Sequence, residues 1–153
     1  MSAKYWAAPK PGDIVQCRFP QDAFSEQGPK ERPALVTRVE SFDDGVVDVD
    51  IAYGTSQHLQ SLHAGEFLVP ATDNEAGLSK DTKFDLGNIV HLPFTTEWFA
   101  PSPNRRYGEH PKRGRLRIDE LVIKRRLQAA VQEARSAGRR QSASARHLPR
   151  KPR

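Results

Sequence analysis

Short runs in which apolar and polar residues alternate fill the first hundred residues of the chain, and each run ends near glycine, proline, aspartate or asparagine. In VDVDIAY, at residues 47–53, the valines and the isoleucine fall on one face of a strand and both aspartates fall on the other. Further runs with strand character occur at residues 13–19, 32–40, 66–70 and 82–93. Five short strands separated by turn-forming residues predict a mainly β protein, built as a small barrel.

A different spacing follows at residues 116–137, where apolar residues recur three or four positions apart. This spacing predicts a C-terminal amphipathic α-helix with one apolar stripe. Asp119 and Glu120 are expected in its first turn, where carboxylates suit the helix dipole, and Gly138 is expected to end it. The stripe comprises Ile123, Leu127, Ala130, Val131 and Ala134.

The charge of the chain is divided unevenly between its two parts. Residues 1–103 contain 8 Lys and Arg against 15 Asp and Glu, a net charge of −7, whereas residues 104–153 contain 16 against 4, a net charge of +12. The basic part favours contact with nucleic acid or an acidic protein, or it is only a solvated helix face and tail. Residues 138–153 include one large apolar side chain, Leu148, which predicts a disordered basic tail after a domain at residues 1–137.

The cysteine count and the absence of long apolar segments bear on the compartment. Cys17 is the single cysteine, so an internal disulfide is impossible, and its place in the alternating run DIVQCRF predicts a buried apolar residue. The first residues, MSAKYWAAPKPG, contain no apolar stretch of signal-peptide length, and no segment is apolar for long enough to cross a bilayer. The sequence therefore predicts a soluble, cytoplasmic protein with no membrane contact.

The order of several motifs resembles the MazF/PemK (Kid) toxins of bacterial toxin–antitoxin pairs. PGDIVQCRF is followed by KERPALVTRV, by a strand that closes on GTSQ, by AGLSKDTKFD and by the C-terminal helix. The resemblance implies an SH3-like barrel, a homodimer, and metal-independent, sequence-selective cleavage of single-stranded RNA that inhibits growth. It also implies a cognate antitoxin with an acidic segment that blocks the site, and it implies no cofactor.

The same resemblance assigns four catalytic residues. The family's functional arginine before the proline matches Arg32, its strand-end threonine matches Thr55, and Lys83 and Asp85 stand where the PemK branch has an arginine and an aspartate. Lys83 and Asp85 are two positions apart, so they share one face of a strand. RNA cleavage without metal needs a base for the 2′-hydroxyl, an acid for the departing 5′-oxygen and a cation for the charged phosphorane. Asp85, Lys83 and Arg32 are assigned to these roles in that order.

The polar residues after Gly54 are predicted to bind RNA. In this interpretation the third strand presents the hydroxyl of Ser56 and the amide of Gln57 at the edge of an RNA groove, where they contact phosphate oxygens and base edges. Gly54 is expected to allow a close approach of the backbone.

Two parts of the chain depart from the family pattern. The stretch DLGNIVHLP lacks an arginine that the family has near the groove, and its Gly87 predicts a bulge or bend. An insertion at about residues 94–115 has no counterpart in the short family members. Its Trp98, Arg105 and Arg106 combine a stacking surface with positive charge and are predicted to contact RNA, or else its aromatic residues pack onto the barrel.

An alternative function of a different class stays open. The same barrel would act as a non-catalytic module that binds DNA, an antitoxin or another protein. The acidic barrel favours this alternative, because a negative surface repels RNA. A zinc site is not expected, because His58 and His63 have no third ligand in register.

Overall fold

One sheet of six antiparallel strands, curled into a half-barrel, forms the body of the protein, and a single helix follows it. The structure is a computed structural model that describes residues 4–19, 30–138 and 143–144. The mainly β fold with a C-terminal helix is therefore confirmed. The elements are β1 (Asp13–Phe19), β2 (Lys30–Ser41), a 3-10 turn (Asp43–Gly45), β3 (Val47–Thr55), β4 (Glu66–Val69), β5 (Thr82–Pro93), β6 (Lys112–Arg115), α1 (Leu121–Ser136) and β7 (Ala143–Ser144).

The strands lie in the order β4-β5-β3-β2-β1-β6, and β7 adds to β5 in parallel. All five predicted strands are present. The bend predicted at Gly87 is also present, because the pairing of β3 with β5 jumps from Ala52 opposite Ile89 to Gly54 opposite Phe84. One residue of β3, Tyr53, thus stands opposite the four residues 85–88 of β5, and the first half of β5 pairs with β4.

The strand β6 was not predicted from the sequence, which indicated only an extended connection there. β6 pairs with the start of β1, and Gly114 lies opposite Ile14. A Cβ on Gly114 would lie 2.3 Å from the carbonyl oxygen of Glu75 and 2.4 Å from backbone atoms of Ala76. The strand is therefore held by close backbone contact with a neighbouring loop, because its sequence, KRGR, has no apolar face to bury.

Both faces of the sheet are covered by apolar side chains. The first core lies between the sheet and α1 and is built around Ile14, Leu35, Phe84 and Leu86. The second core, on the opposite face, is built around Val15, Val36, Ile51 and Leu92, and the insertion and the N-terminal segment cover it. Cys17 is fully buried in the second core, as predicted.

Three aromatic residues of the insertion, Phe94, Trp98 and Phe99, close the second core. Phe94 and Phe99 are fully buried, and their ring centroids lie 4.7 Å apart. The indole of Trp6 donates a hydrogen bond to the carbonyl of Phe99 over 3.0 Å, and Trp98 packs against the same core. For Phe94, Trp98 and Phe99 the structure shows packing onto the barrel, whereas Tyr107 is exposed and its ring centroid lies 4.5 Å from the Lys112 Nζ.

The helix α1 is shorter than predicted at its start. Glu120 has an extended backbone, and its N–H bonds the carbonyl of Arg117, so Asp119 and Glu120 precede the helix instead of forming its first turn. The predicted apolar stripe is confirmed, because Ala130 and Ala134 are buried against the sheet. Gly138 ends the helix with a φ of 70° and bonds the carbonyl of Arg135.

The predicted tail at residues 138–153 lies outside the described residues, apart from Gly138 and β7. β7 pairs with Val90 and His91 of β5. Within the described part of the chain, no helix has both the length and the apolar character needed to span a membrane.

His91 of β5 links two carboxylates of β3. Its Nδ1 lies 2.6 Å from Asp50 Oδ1, and its Nε2 lies 3.3 Å from Asp48 Oδ2. Burial lowers the pKa of His91, but the hydrogen bonds and the charges of both aspartates outweigh burial, so the pKa is raised above its ordinary value. The protonated ring is therefore more stable in the folded state than in the unfolded chain.

This shift predicts a stability contribution at low pH. A raised folded-state pKa stabilises fully below the unfolded value of about 6.5, and the contribution is lost as the pH rises through the folded value. His91→Gln is expected to lower the free energy of unfolding in urea more at pH 5.5 than at pH 8.5, by an amount typical of a partly exposed ion pair, about 0.2–1 kcal/mol. In Asp50→Asn this difference between the two pH values should be smaller. An equal loss of stability at both pH values in His91→Gln would contradict the assignment.

Candidate functional site

Arg32 of β2 and Thr55 of β3 meet at one end of the sheet. The Arg32 Nη1 donates to the Thr55 Oγ1 over 3.3 Å, and the backbone N–H of Gln57 donates to the same oxygen over 3.2 Å. The threonine oxygen therefore accepts two hydrogen bonds, which directs its own O–H away from both donors. The sequence predicted both residues as site residues, and the structure brings them into contact.

Gly54 allows this end of β3 to pack closely against its neighbours. A Cβ at this position would lie 2.7 Å from Thr82 Cγ2, 2.8 Å from Phe84 Cε1 and 2.9 Å from the Pro33 carbonyl oxygen. The close approach predicted for Gly54 is thus an approach to β5 and β2 inside the protein. It fixes the position of Thr55, the next residue.

Two cavities lie on either side of the Arg32–Thr55 contact, and both residues line both of them. We call the first, of about 190 Å³, the Asp85 cavity, and the second, of about 110 Å³, the Arg113 cavity. The Asp85 cavity is lined by Arg32, Tyr53, Gly54, Thr55, Glu66, Lys83, Asp85 and Asn88. The Arg113 cavity is lined by Glu31, Arg32, Pro33, Gly54, Thr55, Ser56, Gln57, Leu78, Ser79, Lys80, Thr82 and Arg113.

Arg32 has hydrogen-bonding capacity that the described residues do not use. A guanidinium has five N–H donors, and the described residues give this one a single bond, from Nη1 to Thr55. Its Nε is buried and has no partner among the described residues. A cation with unused donors between two cavities is suited to bind an anion, since charge-assisted bonds to phosphate or carboxylate oxygens are the strongest that arginine makes.

Lys83 and Asp85 share a face of β5 and line the same cavity, as predicted. The Asp85 carboxylate accepts a hydrogen bond from the Gly87 N–H over 2.9 Å, and it is only half-buried. This bond fixes one oxygen of the carboxylate at the bend of β5. Asp85 is thus held in a defined position on the wall of the cavity that Arg32 also lines.

The environment of Lys83 differs from the one expected of a proton donor. Its Nζ lies 2.9 Å from the His58 carbonyl, 3.0 Å from the Ser61 carbonyl and 3.1 Å from Glu66 Oε2, and the residue is 4% exposed. An ammonium has three N–H groups, and these three partners use all of them. Lys83 therefore anchors the loop after β3, and the geometry does not favour the predicted role of general acid.

Tyr53 forms part of the wall of the Asp85 cavity and contacts Cys17 behind it. Burial, together with the neighbouring Cys17, raises the pKa of the Tyr53 phenol well above its ordinary value. Burial likewise raises the pKa of the Cys17 thiol, although its hydrogen bond with Tyr53 lowers it in part. Both groups stay protonated at neutral pH, so neither supplies a nucleophile to the cavity.

The predicted RNA-binding residues fall into two groups. Ser56 and Gln57 line the Arg113 cavity and are exposed. Trp98, Arg105 and Arg106 line neither cavity, so the structure does not bring them to the site. Trp98 packs against the second core, Arg105 lies 3.9 Å from Glu109, and Arg106 donates to the Asn74 carbonyl over 2.8 Å.

The sequence analysis missed several residues that line the cavities. Among them, Lys80 and Arg113 line the Arg113 cavity, and Asn88 lines the Asp85 cavity. Arg113 lies in PKRGRLR, a basic stretch with no strand pattern, and its place beside Arg32 depends on the pairing of β6 with β1. Lys80 is close to the quoted Lys83 motif, which was the only available signal.

No model of a known protein family matches this chain, and a search among curated proteins finds no match either. The geometry of the two cavities is therefore what supports a function.

Proposed function

We propose that this protein is a metal-independent endoribonuclease that cleaves single-stranded RNA, and that it acts as the toxin of a toxin–antitoxin pair like the MazF/PemK proteins. The observation that carries the proposal is the contact between Arg32 and Thr55 in the wall that separates the two cavities. It joins a cation that has unused donors to a positioned hydroxyl. The Asp85 carboxylate, in the same cavity, supplies a base.

In the proposed reaction the RNA strand crosses the Arg32–Thr55 contact. Asp85 removes the proton of a 2′-hydroxyl, and the 2′-oxygen attacks the adjacent phosphorus atom. The guanidinium of Arg32 stabilises the charge of the phosphorane, and the Thr55 hydroxyl donates to one of its oxygens. The 5′-oxygen leaves, so the products carry a 2′,3′-cyclic phosphate and a 5′-hydroxyl.

Lys83 has a positioning role in this scheme. Its bonds to the carbonyls of His58 and Ser61 hold the loop that follows Ser56 and Gln57. The proton for the departing 5′-oxygen then comes from water. A general acid contributes about 10²- to 10⁴-fold to such a reaction, so cleavage without one is expected to be slow.

The three partners of the Lys83 ammonium leave it no N–H group for the leaving oxygen. This also favours the second candidate, a non-catalytic module that binds nucleic acid or a protein. If no side chain protonates the leaving oxygen, the arginine and hydroxyls still bind phosphate but the RNA stays intact. The two candidates share a binding site and differ only in turnover.

The test uses the purified full-length chain and end-labelled single-stranded RNA, in buffer with EDTA. We expect cleavage with 2′,3′-cyclic phosphate ends, and we expect a 2′-deoxy substitution at the cleaved nucleotide to block cleavage without weakening binding. Binding of RNA with no cleavage would support the non-catalytic module instead. A strict requirement for a divalent cation would contradict the mechanism.

The proposal also includes partners. Three cations at the Arg113 cavity, Arg32, Lys80 and Arg113, would attract the acidic segment of an antitoxin. A homodimer is included because the family resemblance implies it. Sedimentation should then give about twice the chain mass of 17.2 kDa.

A further inference from the structure

Arg113 is a buried cation whose described partners are neutral. It is 7% exposed, and it donates from Nη1 to Gln16 Oε1 over 2.9 Å and from Nε to the Gly77 carbonyl over 3.2 Å. Burial lowers the pKa of its guanidinium below the ordinary value. Among the described residues no carboxylate lies within 4.0 Å of it. Buried charges in proteins are normally paired with an opposite charge, and the described partners of Arg113 are both neutral.

The Arg113 cavity has the charge and lining that an anion requires. Its lining includes three cations, and Glu31, which is exposed, is the one carboxylate among the lining residues. Ser56 and Ser79 of the lining supply further hydroxyl donors to oxygen, whereas the Thr82 hydroxyl already donates to the Lys80 carbonyl over 2.9 Å.

The cavity has room for a phosphate group, since its volume is about 110 Å³. Because Arg32 and Thr55 line both cavities, a strand that crosses their contact reaches both cavities with neighbouring phosphates.

We infer that the Arg113 cavity binds a second phosphate group of single-stranded RNA, next to the phosphate that Arg32 and Thr55 hold in the Asp85 cavity. The assignment of this phosphate to RNA rests on the proposed function. The phosphate site itself does not depend on that function, because it is argued from Arg113, Lys80 and Arg32. Phosphate contacts of this kind fix the register of a strand, so the site sets which bond lies beside Asp85.

The first test uses inorganic phosphate and the full-length chain. Phosphate should raise the midpoint of thermal unfolding in a saturable way, relative to chloride at equal ionic strength, because a ligand that binds only the folded state stabilises it. Arg113→Gln and Lys80→Gln should each lose this increase, and Lys124→Gln, on the exposed face of α1, should keep it. Lys80 is exposed, so its variant tests the site even if the loss of the Gln16 contact unfolds Arg113→Gln.

The second test measures RNA affinity against salt concentration, with a 2′-O-methyl strand that cannot be cleaved. For single strands each phosphate contact contributes roughly −0.7 to the slope of log affinity against log salt. Lys80→Gln and Arg113→Gln should reduce the slope by about this amount, and Lys124→Gln should not.

The outcomes distinguish the phosphate site from the proposed cleavage of RNA. If wild-type protein gains no stability from phosphate, the anion site is wrong. If phosphate stabilises it but neither variant changes the RNA slope, the ligand is a free phosphate ester and the assignment to RNA is wrong. If both tests succeed and wild-type protein cleaves no RNA, the phosphate site stands and the proposed ribonuclease activity fails.

Discussion

Replacement of Lys83 with methionine is expected to lower the free energy of unfolding by about 3–5 kcal/mol. The side chains of Lys83 and Glu66 are 5% and 8% exposed, and their charged atoms lie 3.1 Å apart. Methionine fills a similar volume but leaves the Glu66 carboxylate buried without its cation. It also leaves the carbonyls of His58 and Ser61 without the donor that now joins them.

Urea unfolding of three variants measures this effect. Lys83→Met should lose most of the stability, and Lys83→Met combined with Glu66→Leu should recover much of it, because no uncompensated charge then remains. Arg38→Ala removes an exposed ion pair with Glu40 and should change stability by no more than about 1 kcal/mol. If Lys83→Met loses no more than about 1 kcal/mol, the buried pair of Lys83 and Glu66 does not hold the loop.

Arg32→Ala and Asp85→Ala are each expected to slow RNA cleavage by about 10²- to 10⁴-fold, the usual effect of losing a charge-stabilising or acid–base group. Arg32 has unused donors between the two cavities, and Asp85 is the positioned carboxylate of one of them. Thr55→Ala should slow cleavage less, because one neutral hydrogen bond contributes about 0.5–1.5 kcal/mol.

Initial rates on one labelled RNA, together with circular dichroism to check folding, would measure these losses. Arg106→Ala is the matched control, because Arg106 is an exposed arginine that lines neither cavity. It should retain nearly full activity. Unchanged cleavage by folded Arg32→Ala or Asp85→Ala would remove these residues from the mechanism and leave the binding module as the better proposal.

The strands of the barrel were predictable because burial on alternate positions leaves a pattern within each segment. β1, for example, has the bounds of the run DIVQCRF, in which Val15, Cys17 and Phe19 occupy alternate positions. β6 leaves no such pattern. It depends on Gly114 fitting against the backbone of Glu75 and Ala76, which are almost forty positions away in the sequence.

The same holds for the site: spacing within one strand was predictable, whereas contacts between distant segments were not. The spacing of Lys83 and Asp85 on one strand face was predictable. Arg32 and Thr55 were named from the family resemblance, and the structure shows that they are in contact, but their role in RNA cleavage stays a prediction. The hydrogen bonds that occupy the Lys83 ammonium were not predictable, because they require the loop at residues 58–61 to lie over β5. Composition alone also could not show that Trp98 packs inward.

The insertion has two structural roles, and a deletion within it would affect both. Its first part closes the second core with Phe94 and Phe99, and its last part continues as β6, which brings Arg113 beside Arg32. A deletion would uncover apolar surface and remove a residue of the proposed phosphate site in the same step. Point substitutions in β6 would alter that proposed site alone, whereas a change in the length of the insertion would need a simultaneous repair of the core.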